Sequence, residues 1–121
     1  MRPVAILLLA VILVGCARKP VSFREQIQPI LNSRCTKCHG TEARYGKIVL
    51  TSYDSLMSSR TKSGKEPLAT AGSPGQSRMY ILCATKQSHF RMLPDTSNVT
   101  PLPPAELELL GKWISQGMQN N

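Results

Sequence analysis

Cys35-Thr36-Lys37-Cys38-His39 is the segment whose residue types and spacing carry chemistry. Two thiols with two residues between them, followed at once by an imidazole, form a C-x-x-C-H string. That string reads as a site of covalent c-type haem attachment. The chemistry sets the spacing. Two thiols must reach the two vinyl groups on one edge of a porphyrin and form thioethers. One helical turn with two intervening residues gives that separation, and His39 then projects over the ring face as the proximal iron ligand. The expected cofactor is one covalent haem c, held by Cys35, Cys38 and His39.

Other chemistries use parts of the same string. A thioredoxin-like redox pair also has C-x-x-C, but near a βαβ pattern that this chain lacks. A zinc site needs a second pair of ligands at a suitable spacing. Cys83 and His89 are the only other candidates, and they form no familiar spacing. A Cys35–Cys38 disulfide, unusual at so short a span, would make the chain a structural lipoprotein without haem.

The surrounding elements favour haem. Met1-Arg2 is a basic start, and Val4 to Val14 is almost unbroken apolar sequence. This run is shorter than the roughly 17–25 residues of a membrane-spanning helix, and it fits a secretory signal. It ends in Leu13-Val14-Gly15-Cys16, which resembles a bacterial lipobox with Cys16 as the lipidated new N-terminus. Haem c is attached outside the cytoplasm, so export and the C-x-x-C-H string agree. The expected organisation is a signal peptide over 1–15, a lipidated tether over 16–21 and a single domain over 22–121. At about 3.3–3.6 Å per residue the tether reaches less than roughly 20 Å, which keeps the domain close to the bilayer. The formal charge of +8 falls to +7 once Arg2 leaves with the signal. An exported basic protein does not meet nucleic acid. The charge suits acidic partners or anionic lipid, and Arg18 and Lys19 follow the lipid site directly. Ala17 rather than Asp after Cys16 favours the outer membrane in a diderm host, with the domain on the periplasmic side of the cell envelope.

Within 22–121 the patterning is mostly α, with long loops. Ser22 and Glu25 read as a capping box, followed by Phe23, Ile27, Ile30 and Leu31 on one helical face, with Pro29 expected to interrupt that helix or tighten its end. Ile48 and Leu50 alternate as if lining something, and a short helix is expected from Ser52 through Met57. Ser73-Pro74 with Gln76 resembles a helix start capped by Ser73, with Met79, Leu82 and Cys83 sharing a face. Pro103 and Pro104 open a last helix carrying Leu107, Leu110, Trp113 and Ile114, stopped by Gly117. Cys83 is expected to be a buried free thiol, Met57 and Met79 to be core residues, and Trp113 to pack on Phe23 and Ile27. Tyr45 and Tyr53 could donate to a haem propionate, and Arg44 and Lys47 could pair with one, or all four could face solvent.

Several features arrive in a recognisable order. They are Phe23 with the Ile27–Leu31 stretch, Cys38-His39-Gly40, Gly46 with Ile48-x-Leu50, Gly72-Ser73-Pro74 with Ser77, a Met-Pro-like segment, and Trp113-Ile114. In these the chain resembles a small mono-haem class I cytochrome c domain of the planctomycete type. The resemblance implies a helical fold wrapped around one covalent haem, with the first and last helices crossing beside it. It also implies a distal methionine ligand, which falls at Met92. The family has Met followed at once by Pro, whereas this chain reads Met92-Leu93-Pro94; His89 is the other candidate for the sixth ligand. With His39/Met92 ligation the iron has no open position, and the expected function is single-electron transfer between unidentified periplasmic or membrane redox partner proteins, not enzymatic turnover. If Met92 does not bind, the alternative is a gas-binding or sensing haem protein with an open or His-ligated distal site.

Overall fold

Ser22 opens the first helix by accepting a hydrogen bond from the Glu25 N–H at 3.1 Å. The computed structural model describes residues 18–42, 46–85 and 102–121. Cys16, Arg44, Tyr45, His89 and Met92 lie outside the described residues. The regular structure among the described residues is helical. Their only ladder-type pairing is an isolated antiparallel bridge between Arg60 and Pro67. No helix among them is long and apolar enough to cross a membrane.

The first helix starts as a π-turn, Phe23–Ile27, and continues as α1, Gln28–Arg34. Pro29 explains the wide turn. A proline ring clashes with the carbonyl four residues back and supplies no N–H. Widening the turn is the way past that clash, so Pro29 loosens the start of the helix instead of ending it. The Ile27 N–H reaches the Ser22 carbonyl, five residues back, at 3.2 Å. The extra residue also moves the capping partner. The Ser22 N–H donates to the Gln26 side chain at 3.0 Å, the role expected of Glu25. Phe23, Ile27, Ile30 and Leu31 are all buried, as their spacing predicts.

Helix α2, Tyr53–Ser58, is capped by Ser52 and Ser55, whose hydroxyls and N–H groups bond reciprocally. A 3₁₀ turn, Pro74–Gln76, precedes α3, Arg78–Ala84. Ser73 makes no side-chain cap there. The serine that matters is Ser77, fully buried, whose hydroxyl accepts from the Thr70 N–H at 2.9 Å and donates to the Ser73 carbonyl at 2.9 Å. The helical run is therefore broken at Ser77. Met79 is buried, while Leu82 and Cys83 are only partly so, and Met57 on α2, expected in the core, is exposed.

Helix α4, Pro104–Ser115, buries Leu110, Trp113 and Ile114. It ends as Gly117 predicts. Gly117 has φ +97°, its N–H reaches the Ile114 carbonyl at 3.0 Å, and the Met118 N–H reaches that of Trp113 at 3.0 Å. This double closure is a Schellman motif. Arg34 at the end of α1 forks onto Glu106 in the first turn of α4 at 3.0 and 3.1 Å. Phe23, at the start of the first helix, packs on Trp113 near the end of α4, with ring centroids 5.4 Å apart. The first and last helices therefore lie antiparallel. Tyr53 stands edge-on to Phe23 at 5.2 Å, which locks α2 onto the same centre. Its hydroxyl donates to the Met118 carbonyl at 2.9 Å, so the structure uses it to hold the C-terminal segment. That segment returns to the start of the first helix. The Asn121 side chain accepts from the Phe23 N–H at 2.9 Å and its carbonyl from the Arg24 N–H at 3.0 Å, which serves N–H groups that a helix start leaves open.

Candidate functional site

The end of α1 builds the site. The Cys35 N–H still bonds to the Leu31 carbonyl at 2.8 Å, and Thr36 is held twice, by its N–H on Leu31 at 3.0 Å and its hydroxyl on the Asn32 carbonyl at 2.9 Å. From this fixed base the chain tightens. The Cys35 carbonyl accepts from the Cys38 N–H at 3.1 Å and from the His39 N–H at 2.8 Å. The first is an i→i+3 bond. Residues three apart in such a turn lie on the same side of the backbone. The two cysteines are therefore on one side of one turn, and His39 extends that turn by one residue.

Gly40 closes the motif for a steric reason. A Cβ at this position would lie 2.7 Å from the Thr36 carbonyl oxygen, closer than side chains tolerate. The next segment then comes back to the motif. The Leu50 N–H donates to the His39 carbonyl at 2.9 Å, with Leu50 fully buried and Ile48 partly so. Of the alternating Ile48 and Leu50, Leu50 reaches the motif through this backbone bond and Ile48 packs on the core. Lys47, by contrast, is exposed.

Cys35 and His39 are buried and Cys38 is partly exposed. Cys35, Cys38 and Cys83 are free thiols. Burial pushes the Cys35 thiol up to about 12; nearby Cys83 and Glu106 add to the rise and Arg34 opposes it. Burial likewise pushes Cys83 up to about 11. Both are neutral thiols at ordinary pH. Among the described residues no group of three or more His, Cys, Asp or Glu is arranged to hold a bare metal ion.

The donor set fits a covalently held haem. Two unpaired thiols on one side of a turn suit two vinyl groups, and the adjoining imidazole is a common axial ligand. Cys35, Cys38 and His39 share one turn, closed on the Cys35 carbonyl. The steric demand at Gly40 and the anchoring of His39 by Leu50 do not follow from the spacing of the thiols and histidine. The first had a signal in the Cys-His-Gly string; the second is a pairing eleven residues apart with none. Compared with protein-family models, curated proteins and solved structures, the chain gives no match.

Proposed function

We propose that this chain is an exported, lipid-anchored c-type cytochrome domain that carries one haem through Cys35, Cys38 and His39 and transfers single electrons between redox partners of the cell envelope. The observation that carries the reading is the turn itself. One carbonyl, that of Cys35, organises both the second thiol and the histidine, and both thiols are free. Haem supplies an iron that gains and loses one electron reversibly. The chain's own part is to fix that group. The turn sets the thiols, Leu50 holds the His39 backbone, and Cys35 is itself part of the apolar core that includes Leu31 and Leu50. Attachment would add the S–H of each cysteine across a vinyl C=C, with the proton going to carbon, and would need no oxidant.

Met92 is the proposed distal ligand. Thioether sulfur is a soft donor on an unbranched side chain, and methionine ligation raises the potential relative to two histidines. The test is carbon monoxide binding to the reduced protein. The parent should bind it slowly, Met92→Ala quickly, and His89→Ala like the parent. Fast binding by the parent, or opening by His89→Ala instead, would favour the gas-binding reading. The anchor is tested separately. Cys16→Ser should release the protein from membranes or block its processing, and unchanged membrane association in that variant counts against lipidation.

A further inference from the structure

The tether does not leave the domain at random. Val21 is buried, and its N–H donates to the Gln116 side chain at 2.8 Å, at the end of α4. This bond fixes the direction from which Lys19 and Arg18 emerge. Lys112 lies one helical turn before Gln116. Between tether and helix is a cleft of about 660 Å³, bordered by Arg18, Lys19 and Lys112 and with Val21 and Leu109 among its apolar lining. Its size falls within the roughly 300–1,000 Å³ of small-ligand clefts. Glu108 is the one acid on the cleft, and it is paired with Lys112 at 2.6 Å, so the lining keeps an excess of two positive charges.

We propose that this cleft seats the phosphate headgroup of an anionic membrane lipid and so turns the α4 face bearing Lys112 toward the bilayer. The inference rests on the lipid-anchor reading, since the cleft opens two residues from Cys16. The chemistry that recommends it is the mixture. An excess of two positive charges suits a phosphate, and half-buried Leu109 beside them suits the glycerol and upper acyl region of a lipid better than a fully hydrated free anion. Anchoring alone leaves a domain free to rotate about its tether. A headgroup held between tether and α4 would fix its orientation and with it the face presented to a redox partner.

The test uses the whole exported protein with vesicles of phosphatidylcholine, either pure or mixed with phosphatidylglycerol. A water-soluble amine-acylating reagent reports on each lysine by peptide mass. Lys19 and Lys112 should be protected severalfold in the mixed vesicles relative to the pure ones, while the exposed Lys62 and Lys65 should not differ. Arg18→Gln should weaken the protection at Lys112 about fivefold, the worth of one cation near an anionic surface. Equal reactivity in the two vesicles, or equal protection of all four lysines, overturns the inference. Protection by inorganic phosphate in pure phosphatidylcholine would assign the cleft to a free anion and overturns it as well. Flotation with pure phosphatidylcholine vesicles reads the anchor on its own. Failure to float there refutes lipidation, whereas the difference between vesicles refutes or supports the cleft.

Discussion

Gly40→Ala perturbs the haem-attachment turn by a single methyl group. The new Cβ would sit 2.7 Å from the Thr36 carbonyl oxygen. That oxygen cannot easily retreat, because Thr36 is tied to Leu31 and to Asn32. The motif must move instead, by about 0.3 Å to reach even a tight contact. The strain of such overpacking is about 1–3 kcal/mol. The displaced His39 would also stretch its bonds to Cys35 and Leu50, each worth about 0.5–1.5 kcal/mol. Against this, alanine restricts the unfolded chain and returns about 0.4–1 kcal/mol. The net expectation is a loss of about 1–3 kcal/mol. Urea unfolding should show it as a midpoint lowered by about 1 M at an unchanged slope. The same variant should accept less haem during export. Gly75→Ala is the control, since nothing lies within 4 Å of its would-be Cβ and its φ is not positive; it should be neutral or slightly stabilising. If Gly40→Ala proves as stable as Gly75→Ala and takes up haem normally, the rigid-turn argument is wrong.

The haem-free chain should lose stability in alkali. Cys35 and Cys83 are raised to about 12 and about 11, above an unfolded value of about 8.5. The folded state therefore holds more protons, so stability is full below about pH 8.5 and falls as pH rises through 11 to 12. By pH 10 each thiol accounts for a loss on the order of 1–2 kcal/mol, and the haem-bearing protein should lose only the Cys83 share, because a thioether does not titrate; equal alkaline losses in both forms would argue against a bond at Cys35. Tyr53→Phe removes the donor to the Met118 carbonyl and should cost about 0.5–1.5 kcal/mol while leaving the reduction potential unchanged. A clear change of potential in that variant would place the hydroxyl on the haem instead.

Much of the frame is legible in local signals. The buried stripe of the first helix follows from the spacing of Phe23, Ile27, Ile30 and Leu31. Helix α2 follows from Ser52, and the end of α4 from Gly117. What escapes the sequence is pairing over distance. Tyr53 with Met118, Val21 with Gln116 and Phe23 with Asn121 join residues 65, 95 and 98 positions apart, and no periodicity announces them. Two misreadings have the same local origin. Pro29, expected to interrupt the helix or tighten its end, marks instead a change from a wide π-turn to α-helix, which passes the capping role from Glu25 to Gln26. Ser73 looked like a cap by position, but the buried Ser77 takes the hydrogen bonds. In the candidate site, the identity of the thiols and histidine is written in five consecutive residues, whereas their support by Thr36 and Leu50 is tertiary.

Covalent haem at the Cys35–His39 turn is the central claim, and the mass of the denatured protein tests it most directly. The chain is exported in a host with haem-attachment machinery, purified, extracted with acid–acetone and weighed. The account predicts one haem retained per chain, recovered on the peptide that contains Cys35 and Cys38, and lost when both cysteines are replaced by serine. A protein that comes through the same export colourless, or whose haem is stripped completely by the solvent, would contradict it.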